Sequence, residues 1–248
     1  MLRSVKEVEG YMLRARDGDI GRCKDFLFDD EIWVIRYMVA DTGKWLPSKK
    51  VLISPISLGE PDYPSRIFPV RLSKKQIEQA PDLDTDAPVS RQYEAKYHEY
   101  FGWPYYWGGA EVWGPYSYPA PLYADKRKEA VKVQPENGDP HLRSAGEVTG
   151  YHIQARDGEI GHVEDFIVDD RAWNIRYMVV DTRNWLPGSR KVLISPDWIV
   201  SIQWLEREVA VDLNVEEIKE SPEYDPSAPV NREYEARLYD FYGRPKYW

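Results

Sequence analysis

The sequence predicts a mainly β fold, in which two small β-barrels are each followed by short helices in an aromatic-rich tail. Three observations lead to this prediction. The chain repeats itself, each repeat contains several short strand-like runs separated by turn residues, and each repeat ends in aromatic residues at helical spacing. A chain of 248 residues is long enough to hold two such domains.

The second half of the chain repeats the first half at an almost constant spacing. Gly10-Tyr11 recurs as Gly150-Tyr151, 140 positions later, and many other residues follow at the same spacing. The spacing becomes 141 after Pro187, because one residue has been inserted in a loop, where an insertion disturbs little. The chain is therefore interpreted as an internal duplication, and its two halves are called the first copy and the second copy below.

The duplication sets the predicted domain boundaries. They are a barrel at 1–81 and a tail at 82–107 in the first copy (1–107), a linker at 108–140, and a barrel at 141–222 and a tail at 223–248 in the second copy (141–248). The linker is rich in Gly, Pro and Tyr and carries the basic run Lys126-Arg127-Lys128. This composition favours an extended connection over a third domain.

Turn residues separate the strand-like runs of each copy. An Asp-Gly pair between two such runs predicts a hairpin, because glycine tolerates the positive φ of the turn. We therefore assign Asp17, Gly18, Asp157 and Gly158 to structural turns. Further strands are predicted at 33–40, 51–53 and 67–72 in the first copy, at the matching positions of the second copy, and at 198–204 in the second copy alone.

Two helices are predicted after the strands of each copy. Residues 73–76 and 214–217 have the spacing of a capping box, which opens a short helix. A second helix is predicted over about 90–101 and 231–242, where apolar residues recur every four positions and form one stripe.

The tails hold an unusual number of aromatic residues in a chain with 10 Trp, 18 Tyr and 6 Phe. So many aromatic side chains in water would form an adhesive patch, so they either pack on a barrel or bind a partner. The candidate interface residues are Tyr93, Tyr97, Phe101, Trp103, Tyr106, Trp107, Tyr234, Leu238, Tyr242, Tyr247 and Trp248.

A fused duplication often keeps the self-complementary contact of a former dimer. We therefore expect the two copies to pack as an intramolecular pseudo-dimer. Each tail would then be covered by its own barrel or by the other one, and the sequence does not choose between these arrangements.

The sequence predicts no catalytic, metal-binding or cofactor-binding residue. The four histidines are not matched between the copies: His98, His141, His152 and His162. Cys23 corresponds to Val163, which indicates a packed thiol rather than a nucleophile. The pairs Asp29-Asp30 and Asp169-Asp170 lack the alternating ligands of a calcium loop.

Two further polar positions occur in both copies: Asp25 with its counterpart Asp165, and Arg36 with its counterpart Arg176. An acid or a ligand-binding arginine is one interpretation. Structural ion pairs or hydrogen bonds are the favoured interpretation, since such residues in strands usually serve the fold.

The repeated pattern resembles the PRC-barrel family, which includes a domain of the photosynthetic reaction-centre H subunit and the C-terminal half of the ribosome-maturation factor. The matching residues of the first copy are Gly10-Tyr11, Asp17-Gly18, Ile20-Gly21, Asp25-Phe26, Asp29, Arg36 to Asp41 and Val51 to Pro55, and most return in the second copy. The resemblance implies a small β-barrel used for docking rather than catalysis. It covers about 70–80 residues of each copy and leaves out both tails.

Composition narrows the classes of function. The net charge of −9 argues against a nucleic-acid partner. No apolar run is long enough to span a membrane, and with one cysteine and no apolar leader a cytoplasmic location is expected. The leading hypothesis is a non-enzymatic assembly module with an unknown protein partner. The alternatives are a small-ligand binding protein with an aromatic pocket, and a soluble H-subunit-like protein acting at a photosynthetic membrane.

Overall fold

A computed structural model describes residues 1–46, 49–82, 89–125, 142–182 and 190–248. The strands are β1 (Leu2–Ser4), β2 (Met12–Ala15), β3 (Gly18–Asp29), β4 (Val34–Asp41), β5 (Val51–Ile53), β6 (Ile67–Pro69), β7 (Leu142–Ser144), β8 (His152–Ala155), β9 (Gly158–Asp169), β10 (Ile175–Asp181), β11 (Lys191–Ile194), β12 (Ile199–Gln203) and β13 (Glu208–Val211). The helices are α1 (Val5–Val8), α2 (Lys74–Glu78), α3 (Arg91–Phe101), α4 (Ala120–Ala124), α5 (Ala145–Val148), α6 (Val215–Glu220) and α7 (Arg232–Tyr242), with short 3-10 turns at Pro55–Ser57 and Pro196–Trp198.

The chain forms two compact units, and each unit contains one sheet. The first-copy unit comprises residues 8–144 and 171–173, and the second-copy unit comprises residues 1–7, 145–170 and 174–248. The expectation of a mainly β fold with helices is confirmed.

The sheet of the second-copy unit has seven strands. Six follow the order β11-β10-β9-β8-β13-β12, in which β8 and β13 are parallel and the other neighbours are antiparallel. The seventh strand is β1, which pairs antiparallel with the end of β9. The segment that opens the first copy is therefore built into the sheet of the second-copy unit.

The sheet of the first-copy unit has six strands, in the order β5-β4-β3-β2-β6 with β7 added to the end of β3. Here too the added strand comes from the start of the other copy. The strand exchange is thus reciprocal, and no pattern in the sequence predicted it. Across the described residues neither sheet closes into a barrel.

The two copies share unusual backbone conformations as well as strand order. Trp33 and its counterpart Trp173 have φ angles of 55° and 64°, and Arg66 and its counterpart Arg207 have 55° and 56°. Left-handed conformations are uncommon for residues other than glycine. Their recurrence at matching positions indicates that both copies fold their backbones in the same way.

The hairpins differ from the predicted Asp-Gly turn. The two turn residues between β2 and β3 are Arg16 and Asp17, and Gly18 is already the first residue of β3. The carboxylate of Asp17 accepts a hydrogen bond from the backbone N–H of Lys74 at 2.7 Å, at the start of α2. Each turn aspartate therefore also caps a helix, because the equivalent Asp157 accepts from the N–H of Val215 at 2.7 Å.

The two turn glycines are predicted to respond differently to substitution. Gly18 has a φ of 138°, a conformation that strains any residue with a Cβ, whereas Gly158 is not among the positive-φ glycines. Gly18→Val is expected to lower the free energy of unfolding by roughly 1–3 kcal/mol. Gly158→Val serves as the matched control and should cost less than about 1 kcal/mol, although the sequence assigned both glycines to turns with positive φ. Chemical denaturation of both variants measures the difference, and equal losses would contradict it.

The predicted helices lie close to their expected positions. Helix α2 begins at a capping box in which Ser73 accepts from the N–H of Gln76 and the side chain of Gln76 accepts from the N–H of Ser73. Helices α3 and α7 each end at a glycine in the left-handed conformation, Gly102 and Gly243. Sequence signals at helix ends were therefore sufficient to place these elements.

The described part of the predicted linker, residues 108–125, is not an extended connection. It contains α4 and two isolated bridges, and Trp113 and Leu122 are completely buried in the first-copy unit. The indole N–H of Trp113 donates a hydrogen bond to the carbonyl of Ala172 at 2.8 Å. The Gly- and Pro-rich composition of this segment suggested a linker, but its aromatic and aliphatic side chains form part of the core of the first-copy unit. The basic run at 126–128 lies outside the described residues.

Candidate functional site

Each aromatic tail packs against the sheet of its own copy. The Tyr97 hydroxyl donates to the carbonyl of Leu52 in β5 at 2.9 Å, and the Tyr177 hydroxyl donates to Glu235 in α7 at 2.8 Å. Of the candidate interface residues, Tyr93, Tyr97, Trp103, Tyr106 and Leu238 are buried, Phe101, Trp107, Tyr234, Tyr242 and Tyr247 are half-buried, and Trp248 is exposed. Most of the aromatic surface is therefore used inside the chain, which leaves little of it for a partner.

A buried carboxylate lies between α3 and the sheet of the first-copy unit. Glu94 is 2% exposed. One of its oxygens accepts hydrogen bonds from the hydroxyls of Tyr106 (2.5 Å) and Tyr37 (3.2 Å), and the other lies 2.9 Å from the Arg91 guanidinium. Burial raises the pKa of Glu94, while Arg91 and the tyrosine hydroxyls oppose that rise.

Arg36 completes this buried cluster. Its guanidinium carbon lies 3.8 Å from the centre of the Tyr106 ring and 4.7 Å from that of Trp113. It donates to the carbonyl of Val112 at 2.7 Å and lies 3.8 Å from the Asp29 carboxylate. A guanidinium that stacks on rings and pairs with carboxylates is stabilised in the interior. These contacts favour the structural interpretation of Arg36.

The second copy repeats the cluster in a more exposed form. Glu235 accepts hydrogen bonds from Tyr177 (2.8 Å) and Tyr247 (2.7 Å), and Arg232 lies 3.1 Å from its other oxygen. The Arg232 side chain is 56% exposed, whereas Arg91 in the first copy is 25% exposed. Arg176 lies over the Tyr247 ring at 4.3 Å. Neither glutamate was predicted as a site residue, although the sequence Tyr-Glu-Ala recurs in both tails and was a usable signal.

His98 on α3 is completely buried and faces the same cluster. Its Nδ1 lies 2.8 Å from the carbonyl of Pro104, so Nδ1 is the protonated donor, and Nε2 has no hydrogen-bond partner. Burial lowers the pKa of His98 from 6.5 to about 4. The histidine is therefore neutral near pH 7.

This lowered pKa predicts a pH dependence of stability. As the pH falls, the histidine of the unfolded chain binds a proton before that of the folded chain does. The contribution of His98 to the free energy of unfolding is therefore fully present above about pH 6.5 and falls by about 3 kcal/mol by about pH 4. The raised pKa of Glu94 acts in the opposite direction. Urea denaturation of the wild type and of His98→Gln between pH 7 and pH 4 isolates the histidine. The stability difference between them should shrink or reverse toward pH 4, and a constant difference would contradict the assignment.

The remaining predicted residues have structural surroundings. Cys23 is buried, and burial raises the pKa of its thiol far above the ordinary value. His152 is exposed and lies 2.9 Å from Glu159, His162 is half-buried, and His141 lies outside the described residues. Among the described residues no group of three or more His, Cys, Asp or Glu side chains is arranged to hold a metal ion.

The repeated aspartates Asp25 and Asp165 hold the exchanged strands. The Ser4 hydroxyl of β1 donates to Asp165 at 2.5 Å, and the Ser144 hydroxyl of β7 donates to Asp25 at 2.5 Å. Asp165 also accepts from the backbone N–H of Lys6 at 3.1 Å. Burial raises the pKa of Asp165, and the Ser4 hydrogen bond opposes this rise. The favoured hydrogen-bonding role of these aspartates thus has a specific partner that the sequence did not reveal.

A cavity of about 640 Å³ lies beside β1 in the second-copy unit. Its lining includes Ser4, Lys6, Glu164, Lys191 and Tyr224. The Oε1 atom of Glu164 lies 2.8 Å from the Nζ atom of Lys191, and its Oε2 atom is buried without a hydrogen-bond partner. The cavity is more polar than the Tyr- and Trp-lined pocket proposed from the sequence, and it lies beside the exchanged strand.

The edge strand β12 and the turn after it carry exposed apolar side chains in the second-copy unit. Strand β12 pairs with β13 and with no other strand in the described part of the chain. Val200 in β12 is 67% exposed and Leu205 in the following turn is 94% exposed. The first copy has Gly59 and Pro64 at these two positions. Strand β12 confirms the additional strand predicted at 198–204. At the equivalent described positions the first copy has isolated bridges, Leu58 to Val70 and Asp62 to Ile67.

Comparison with models of known protein families gave no match to this chain, and no curated protein sequence matches it significantly. No helix in the described ranges is both long enough and apolar enough to cross a membrane.

Proposed function

We propose that the protein is a non-enzymatic protein-binding and assembly module, whose partner adds a strand to the free edge of β12. The carrying observation is that β12 pairs on one side only among the described residues, while Val200 in β12 and Leu205 in the following turn are exposed. Soluble proteins usually protect such edges with proline, charge or a covering element, because an open edge pairs readily with another chain. The partner is a protein that offers an extended segment.

The contrast between the two copies supports this proposal. The first copy has Pro61 and Pro64 where the second copy has Ile202 and Leu205. Proline lacks the N–H that a strand ladder needs, so the first copy has the sequence of a protected edge. Selective loss of this protection in one copy is the pattern expected of a binding edge.

We also propose that each copy is a PRC-barrel domain. The resemblance of the repeated motifs supports this assignment, while both sheets are open across the described residues. A barrel used for docking agrees with a protein-binding role, and the partners of known family members are not carried over to this chain. The packing of the copies as a pseudo-dimer stays a prediction.

The edge can be tested by cross-linking in native lysate. Wild type and the double variant Val200→Lys, Leu205→Lys are compared, because lysine on an edge strand opposes strand addition. Ile32→Lys, at a residue 46% exposed in the first-copy unit, is the matched control. Cross-linked proteins should be lost from the double variant and kept by the control. Identical cross-linked proteins from all three chains would refute the β12 site.

A small-ligand binding protein is the second candidate function, and the cavity beside β1 is the observation that favours it. The buried, unpartnered oxygen of Glu164 would accept a hydrogen bond from a donor group such as an ammonium or an amide. Native mass spectrometry of protein purified from its source tests this candidate. A bound mass that is lost in Glu164→Ala and kept in Glu159→Ala would support it, and a chain free of added mass would count against it.

A further inference from the structure

The ends of β9 and β3 each bind a short extended segment of the same chain, which is β1 on β9 and β7 on β3. β1 pairs with β9 in the register Leu2 to Asp169, Arg3 to Val168 and Ser4 to Ile167. β7 pairs with β3 in the equivalent register, Leu142 to Asp29, Arg143 to Phe28 and Ser144 to Leu27. We call these the β9 groove and the β3 groove. Each adds a short antiparallel strand to a sheet, so main-chain hydrogen bonds hold the segment in place.

Side chains add sequence recognition to the main-chain pairing. In both grooves the serine donates to a buried or half-buried aspartate at 2.5 Å, Ser4 to Asp165 and Ser144 to Asp25. In the β3 groove Arg143 also donates to Asp30 at 2.8 Å. Hydrogen bonds that involve a charged group are among the stronger ones. Each groove therefore selects a serine at one position, and the β3 groove also favours a basic residue beside it.

Both filling segments have the same sequence pattern. Residues 2–8 are Leu-Arg-Ser-Val-Lys-Glu-Val and residues 142–148 are Leu-Arg-Ser-Ala-Gly-Glu-Val. Each segment precedes one copy but completes the sheet of the unit built from the other copy. Because the segments and the grooves match, a segment of one chain meets the same contacts in a groove of another chain.

We propose that the β9 groove accepts the Leu-Arg-Ser segment of a second copy of this protein, so that chains exchange strands and associate. Exchange of an identical element between chains loses no contact and is a low-cost route to a dimer. Within one chain the segment has the advantage of a high effective concentration, in the millimolar range for short flexible connections. Association is therefore expected to rise with protein concentration and to become extensive at about 1 mM.

Disulfide trapping between two full-length chains tests the proposal. One chain carries Arg3→Cys and the other Val168→Cys, since these two positions face each other in the strand pair. Both chains also carry Cys23→Val, which copies the residue at the equivalent position, Val163, and removes the native thiol. The chains are unfolded together, refolded at about 1 mM or about 10 µM, and oxidised. A mixed disulfide is expected at the higher concentration and should fall at least tenfold at the lower one.

Two controls make the result specific. Pairing Arg3→Cys with Phe241→Cys, at a side chain 42% exposed and outside both grooves and the β12 edge, measures disulfides that form by random collision. Adding Ser4→Ala to the Arg3→Cys chain removes the donor to Asp165 and should reduce trapping at least threefold. A mixed disulfide no more abundant than the collision control would overturn the proposal, and trapping unaffected by Ser4→Ala would overturn the recognition of serine.

A measurement on the unmodified protein covers the case in which a cysteine variant fails to fold. Analytical ultracentrifugation of wild-type chain refolded at about 1 mM should show a dimer. The fraction of dimer should be smaller for the Ser4→Ala, Ser144→Ala chain. A wild-type chain that is monomeric at every concentration would also overturn the proposal. That result would not contradict the proposed β12 site, because the β12 test changes Val200 and Leu205, which belong to neither groove.

Discussion

Replacing Glu94 by glutamine is expected to lower the free energy of unfolding by about 3–5 kcal/mol. Glutamine keeps the shape of the side chain but removes the charge that faces Arg91 and the buried Arg36. It also replaces an oxygen that accepts from two tyrosine hydroxyls or from Arg91 with a donor group. The loss should therefore come from weaker compensation of the buried Arg36, which among the described residues keeps only the Asp29 carboxylate at 3.8 Å, and from mismatched hydrogen bonds.

The second copy supplies the matched control for Glu94. Glu235→Gln removes the same carboxylate from the equivalent cluster, but its Arg232 is 56% exposed and can be solvated. The expected loss is about 1–2 kcal/mol. Urea denaturation followed by tryptophan fluorescence measures both variants. Equal losses would contradict the conclusion that burial makes the first cluster more costly to disrupt.

Deleting residues 231–248 is expected to unfold the second-copy unit or bring it close to unfolding. The deletion removes Leu238 and Tyr239, which are 0% and 1% exposed, and uncovers Trp198, whose ring lies 5.4 Å from that of Tyr239. At about 1.5–3 kcal/mol for each fully buried large side chain, together with the Glu235 cluster, the loss approaches the whole stability of a small domain. Thermal melting and binding of a hydrophobic dye measure the outcome.

A shorter deletion separates the packed helix from the exposed end of the tail. Removing residues 244–248 takes away the exposed Trp248 and one hydrogen-bond donor to Glu235, but it leaves α7 in place. Its melting temperature should fall much less. If the longer deletion melts like the wild type and binds no additional dye, the tail is not part of the core, and capture of a partner becomes its preferred role.

The strand exchange also gives a physical reason for the repeated Leu-Arg-Ser sequence. A three-residue strand has little intrinsic stability and needs a partner strand and a specific anchor to stay in place. The serine–aspartate hydrogen bond supplies that anchor in both copies. Further contacts, such as Arg143 with Asp30, help to fix the register.

The sequence by itself determined the local elements of this protein. The hairpins near Asp17 and Asp157, the capping box at Ser73 and the tail helices follow from patterns within a few residues, and the duplication follows from matches 140 positions apart. Such patterns act through backbone sterics, turn chemistry and the period of the apolar positions, which need no knowledge of distant contacts. They also predicted the additional strand at 198–204.

Only the tertiary structure decided which distant segments pair. It placed β1 and β7 on the sheets of the opposite copies, brought Glu94 under Tyr37 and Arg36, and buried Trp113 from a segment with the composition of a linker. The physical reason is that a three-residue segment such as Leu2–Ser4 is too short to show a periodic apolar pattern, so its sequence does not indicate which strand it pairs with. Its place is fixed by the free energy of complete hydrogen bonding and burial over the whole unit.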